Sequence, residues 1–184
     1  MNKLVLRFGL YATLVTIGIP LLQYFFLDKG AEMNYQLGEI IGYSTIILSM
    51  VFVFLGIKKY RDENNDGSIT FWEALKVGIL IAAIPAIAFG LYNWVYIAFL
   101  DPEFLDNYYQ HYLDQAQATM SVTEFEAEKT KLELQKAGFQ SPVVQFVVMF
   151  LTVFILGFIV SLVSSIVLKK GEKENQNILD TNNG

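Results

Sequence analysis

The 184-residue chain has no cysteine and a single histidine, His111. The first absence removes disulfides, thiolate-held zinc, cysteine nucleophiles and iron–sulfur clusters. The second removes any histidine-rich metal centre assembled within one chain. Charge is scarce as well: Asp, Glu, Lys and Arg supply 17% of residues, against roughly 25% in ordinary soluble domains. The formal net charge of −5 offers no basic surface, so no nucleic-acid partner is expected. Hydrophobic residues fill the space, at 54% of the total.

Those hydrophobic residues are clustered. Four stretches carry no charge at all: Phe8 to Leu27, Ile40 to Ile57, Val77 to Leu100 and Pro142 to Leu168. A helix rises ~1.5 Å per residue, so ~20 residues cross the ~30 Å hydrocarbon layer, and each stretch meets or approaches that length. Backbone in lipid must satisfy its own hydrogen bonds, which makes these segments helices. The expected fold class is therefore all-α: a polytopic membrane protein with four transmembrane helices, at about 4–27, 38–57, 72–100 and 142–168. The first stretch is longer than the ~7–15 apolar residues of a secretory signal, and no small-x-small cleavage site follows Gln23 to Asp28. It reads as a retained anchor.

Basic residues set the direction of threading. Lys3, Arg7, Lys58, Lys59, Arg61, Lys76, Lys169, Lys170 and Lys173 flank one side, and Lys29, Lys129, Lys131 and Lys136 the other. The richer side is expected to be cytoplasmic, with both termini inside. Tyr24, Phe25, Trp94 and Tyr96 then form an outer aromatic belt, and Tyr60, Phe71 and Trp72 an inner one.

The outer connection between the third and fourth spans, 101–141, holds eight acids and three lysines. Asp101-Pro102 ends the third span. Phe104, Tyr108, Tyr112, Ala116 and Met120 then recur every four residues, as on one stripe of an amphipathic helix. Ser121-x-x-Glu124 reads as a capping box opening a second helix, laced by Glu126–Lys129, Glu128–Lys131 and Glu133–Lys136 and closed by Gly138. The expectation is a helical extracytoplasmic hairpin, either a lid on the bundle or a docking surface. The first outer loop, Asp28 to Leu37, and the inner loop, Lys58 to Thr70, are short. Residues 1–170 form the membrane domain, and the polar tail 171–184 is expected to be a disordered cytoplasmic segment.

Lipid gives no hydrophobic drive for helix association, so small residues mark the contact stripes. These are Gly38 and Gly42 on the second span, Gly78, Ala82, Ala86 and Gly90 on the third, and Gly157, Ser161 and Ser165 on the fourth. Pro20 and Pro85 are placed to kink the first and third spans. No ionisable residue lies deep in any span, which disfavours proton relays and ion-coupled transport. Asn93 and Gln145, near the outer ends, are candidates for hydrogen bonds between helices. His111, with Asp106 or Asp114, is the only combination resembling a general base and its orienter, and no nucleophile or metal set accompanies it.

One polar motif is sharp. The inner turn reads Asp62-Glu-Asn64-Asn-Asp66-Gly67-Ser68-Ile-Thr70-Phe-Trp-Glu73 and matches the EF-hand calcium-loop pattern. Asp62, Asn64 and Asp66 would supply side-chain oxygens, Ser68 its carbonyl, Thr70 a water-mediated contact and Glu73 a bidentate carboxylate. A short polar turn entering a helix selects the same residues for unrelated reasons. Nearly antiparallel spans, the absence of a second loop and the nearby Lys58, Lys59 and Arg61 oppose calcium. Otherwise no cofactor is expected.

The residues Gly42-Tyr43, Gly56-Ile57-Lys58-x-Tyr60-Arg61-Asp62, Gly67-x-Ile69-x-Phe71, Ala74 and Gly78 resemble a bacterial membrane family known as domain of unknown function 4199. The resemblance runs from the first span through the fourth. It implies a four-helix inner-membrane protein with a long helical extracytoplasmic loop, and no activity. The expected function is a non-enzymatic subunit or scaffold that binds other envelope membrane proteins, or copies of itself, among membrane lipids. The alternatives are a carrier of lipid or a small amphiphile, and a calcium-responsive membrane protein.

Overall fold

The computed structural model describes residues 1–26 and 35–171. Among them the chain is helical throughout, with no strand and one isolated backbone bridge. Most of the first outer loop, including Lys29, and the tail beyond Gly171 lie outside the described residues.

Seven helices follow in order: α1 Asn2–Phe26, α2 Tyr35–Ser49, α3 Val51–Asn64, α4 Phe71–Val95, α5 Phe104–Thr119, α6 Val122–Phe139 and α7 Pro142–Leu168. Four continuous segments are long and apolar enough to cross a membrane: Asn2–Phe26, Tyr35–Asn64, Phe71–Leu100 and Pro142–Leu168. The second combines α2 and α3, which meet at one tightened turn where the Met50 N–H is shared between the Ile46 and Ile47 carbonyls. The third ends in a π-helical turn, Tyr96–Leu100, closed by Asp101 N–H on the Tyr96 carbonyl at 2.9 Å. Sequence reasoning missed that turn. Exposed Leu14, Ile40, Ile47, Val163 and Val167 give these helices an outward surface suited to lipid, not water. The protein is a multi-pass membrane protein.

The second span ends later than expected. Helix α3 runs to Asn64, seven residues past the last apolar residue, Ile57. Lys58–Asn64 is polar yet helical, supported by the Lys59–Glu63 pair at 2.8 Å. The inner connection therefore shrinks from 58–70 to 65–70.

The chain divides into two compact units, Met1–Phe89 with Leu151–Gly184, and Gly90–Phe150. Their borders fall inside α4 and α7.

In the first unit α1 packs on α2 and α3. Its core is Ala12, Met50, Val53, Ile57, Val77, Ile81, Ala82, Ala86 and Val153. The polar groups buried there are alcohols. Thr16, Ser161 and Ser165 return their hydroxyl protons to carbonyls one turn earlier, those of Ala12, Gly157 and Ser161. These three hydroxyls are thus satisfied within their own helices, as burial away from water requires.

In the second unit α5 packs antiparallel on α6, with Lys136 Nζ on Asp106 Oδ1 at 2.7 Å. Buried Tyr109, Ala116 and Leu132 form its small core. Phe104, Tyr108 and Tyr112 stack along α5, with ring centroids 5.8 and 4.8 Å apart. Met120, expected on the same stripe, is exposed. Tyr109, off that stripe, is the buried ring, and burial raises its phenol pKa. The capping box is present: the Ser121 N–H and Oγ both donate to Glu124 Oε2, at 3.1 and 2.6 Å. Of the three expected ion pairs on α6 only Glu128–Lys131 forms, because Lys136 turns across to Asp106. Helix α6 also passes through Gly138 to Phe139, and Pro142 prevents its continuing into α7 as one rod.

Candidate functional site

The residues singled out by sequence fall in two places, the inner turn and the small-residue contacts. Helix α3 ends with Asn65 as its cap, and Asp66 and Gly67 follow with φ of 48° and 76°. This left-handed backbone suits Gly, and Asp tolerates it better than most residues. It lets the Gly67 N–H reach back to the Arg61 carbonyl at 2.9 Å. Asn65 Nδ2 then donates to the Ser68 carbonyl at 2.8 Å, while Ser68 donates its N–H and Oγ to the Asn65 carbonyl.

The six calcium-pattern residues do not converge. Asp62 takes the Arg61 Nε–H at 2.6 Å. The Ser68 carbonyl faces Asn65. Glu73 Oε2 accepts from the Thr70 N–H at 2.9 Å and Oγ at 2.8 Å, and Thr70 Oγ accepts from the Glu73 N–H at 3.3 Å. That is a capping box on α4, with Thr70 as N-cap and Glu73 three residues on. Asn64 and Asp66 are exposed. Among the described residues no three His, Asp or Glu side chains are gathered as metal ligands. Cap and calcium loop share one vocabulary, because both need oxygens around a sharp turn before a helix.

The turn has a second partner that sequence did not reveal. Ile69 and Lys170 exchange both backbone hydrogen bonds, each at 2.9 Å, in an antiparallel bridge. Arg61 Nη1 reaches the Leu168 carbonyl at 3.4 Å. Ile69 itself is buried at 2% exposure. The link between the second and third spans is thus stitched to the exit of the fourth, and a last-turn carbonyl of α7 gains a donor.

The small residues separate into contacts and open positions. A Cβ on Gly78 would come within 2.7 Å of Ser161 Oγ, and one on Gly157 within 2.5 Å of the Ala82 Cβ, so α4 and α7 touch backbone to side chain. Ala82, Ala86, Ser161 and Ser165 are fully buried. A Cβ on Gly90 would meet the Phe146 ring at 2.7 Å. On α2, Gly42 has open space around it and Gly38 has only Gln23 Nε2 at 3.8 Å. Two contacts escaped the sequence reading: Gly9 lies against Ile84, and Gly56 against Ile81 and Phe8. Neither glycine has another glycine four residues away, the repeat that betrays a stripe.

Of Asn93 and Gln145, expected to bond between helices, Gln145 does so. Gln145 Nε2 donates to the Phe139 carbonyl at 2.6 Å, closing the α6–α7 corner, while Gln145 Oε1 and Asn93 Nδ2 are buried without a partner. His111 is exposed, its ring against Tyr112. Asp106 is held by Lys136, and Asp114 accepts from Gln110 Nε2 at 2.7 Å.

The family model described as a protein of unknown function, DUF4199, matches residues 7–170. The chain belongs to that family. No curated protein and no solved structure matches it. The region matched to DUF4199 holds the second compact unit, most of the first, and every spanning helix but the first turns of α1. It also holds the inner turn together with its partner Lys170, so the stitch lies wholly within the family's extent.

Proposed function

We propose that this DUF4199 protein is a non-enzymatic subunit or scaffold of the bacterial inner membrane, binding other membrane proteins through its outward surfaces. Both termini lie in the cytoplasm in this reading, and 101–141 is extracytoplasmic. One observation carries it: the buried polar side chains among the described residues are alcohols and one amide, Gln145, with no buried Asp, Glu, Lys, Arg or His. Transport and hydrolysis inside a membrane depend on ionisable or nucleophile-activating groups at depth. A chain whose interior is spent on packing, while large apolar side chains face outward, is suited to association.

Purification in mild detergent should recover a partner in fixed stoichiometry. Repeated recovery of the chain alone, by gentle extraction and at native abundance, overturns the scaffold role. Single cysteines at Asn65 and Gln117 test the threading: only the second should react with an impermeant reagent on intact cells.

An amphiphile carrier is the second reading. The groove between α5 and α6, lined by Tyr112, Ala116, Met120 and Leu132, favours it chemically, but measures about 210 Å³. Ligand pockets run from roughly 300 to 1,000 Å³, which ranks this reading below association.

A further inference from the structure

A cavity of the first unit lies elsewhere, between the start of α1 and the end of α3. It measures about 620 Å³ and is lined by Met1, Asn2, Lys3, Leu4, Arg7, Phe8, Lys59, Glu63 and Asn64. Three cations face one acid there. Lys59 is occupied by Glu63 at 2.8 Å. Lys3 and Arg7 are exposed, and no ion pair engages either among the described residues. Leu4 and buried Phe8 give the niche an apolar floor.

The cations continue into grease. Lys3, Arg7, Leu10 and Leu14 follow spacings of four, three and four, which puts them on one face of α1. Leu10 is 48% exposed and Leu14 69% exposed. A molecule with an anionic head and an apolar tail would meet matching chemistry along that face. A soluble anion would use only its upper end.

We propose that this niche binds the phosphate headgroup of an anionic phospholipid, held by Lys3 and Arg7, with an acyl chain laid along Leu10 and Leu14. The cavity is large enough for a phosphoglycerol headgroup. The anionic lipids of a cytoplasmic leaflet attract basic residues at this depth, and basic pockets between spans hold such headgroups. Glu63 opposes the ligand twice, by its own charge and by occupying Lys59. The site rests on the membrane reading and on the proposed cytoplasmic placement of the start of α1, and not on a scaffold role.

The test uses the full chain in a non-ionic detergent, titrated with phosphatidylglycerol or phosphatidylcholine and read by native mass spectrometry. The wild type should hold phosphatidylglycerol preferentially. Lys3→Gln with Arg7→Gln should weaken that lipid about 30-fold, at ~1 kcal/mol per basic residue, and leave phosphatidylcholine unchanged. Glu63→Gln should tighten phosphatidylglycerol severalfold. Equal retention of the two lipids by the wild type overturns the proposal, as does a double variant that binds like the wild type. Displacement of the lipid by inorganic phosphate also overturns it, by making the niche a site for a soluble anion. If the double variant does not fold, Glu63→Gln decides: tightening supports the site, and no change or weakening removes it. Alkaline extraction of vesicles separates the two readings. A chain that stays in the bilayer yet holds both lipids equally loses this site and keeps its membrane assignment, whereas a chain that washes off loses both.

Discussion

The two compact units solve the same problem with opposite means. The unit built from 1–89 and 151–171 brings backbones together at Gly78, Gly157, Gly9 and Gly56, hides hydroxyls by returning them to their own helices, and turns leucine, isoleucine and valine outward. The α5–α6 pair in the other unit turns carboxylates, glutamines and lysines outward and is held by a few buried side chains, a capping box and ion pairs. The difference is one of solvent. Where the surroundings are as apolar as the interior, close approach decides which surfaces meet. Where the surroundings are water, burial of Tyr109 and Leu132 contributes most, and exposed ion pairs such as Lys136–Asp106 add little.

The contrast is broken hardest by filling a close approach. Gly157→Leu must push Ala82 and Met50 aside and should cost about 1–3 kcal/mol or abolish assembly. Thermal unfolding in detergent, followed by tryptophan fluorescence and size exclusion, measures it. The inner turn gives the next effect. Thr70→Ala removes the α4 cap and should cost about 1 kcal/mol in chelator and in calcium alike. Glu73→Gln keeps a side-chain oxygen for the capping box and should change stability by under ~0.5 kcal/mol in both conditions. A calcium-dependent loss on Glu73→Gln would restore the ligand reading of that loop.

Both units should respond to pH through a capping carboxylate bonded by its N-cap residue, Glu73 on α4 and Glu124 on α6. Glu124 is held below the ordinary glutamate pKa by the Ser121 hydroxyl and N–H. A lowered carboxylate pKa means that the cap's contribution is complete above the ordinary value and disappears as pH falls through the lowered one. Helix content of α6, followed by hydrogen exchange between pH 6 and 3, should decline in wild type and be flat in Ser121→Ala with Glu124→Gln. The smallest effect belongs to Gly42→Leu, at near zero, because among the described residues nothing lies within 4 Å of the added Cβ. A loss comparable to that of Gly157→Leu would expose a second copy of the chain seated on α2.

Much of this architecture was legible beforehand, and the reasons differ by element. Uncharged runs reported the four spans because exclusion from water acts on each residue separately. Ser121-x-x-Glu124 reported a helix start because its partners are three residues apart. Whatever depended on distant partners was silent. Nothing local pairs Ile69 with Lys170, or places Gly56 against Phe8. The end of α3 was missed because hydropathy marks where lipid stops, and the helix continues past that point on its own backbone bonds. The inner turn was ambiguous for a different reason: oxygens arranged to receive N–H groups spell the same motif as oxygens arranged to receive a cation.

The Ile69–Lys170 bridge also imposes an order on biogenesis. A ribosome releases the inner turn long before it releases Lys170, so the Ile69 amide and carbonyl must wait through synthesis of two further spans before they find each other's complement. Until then the loop holds a buried-to-be strand segment without its mate. The nascent chain therefore cannot close this end until the final hydrophobic helix has left the insertion machinery, and any premature stop upstream of Leu168 leaves that seam permanently undone.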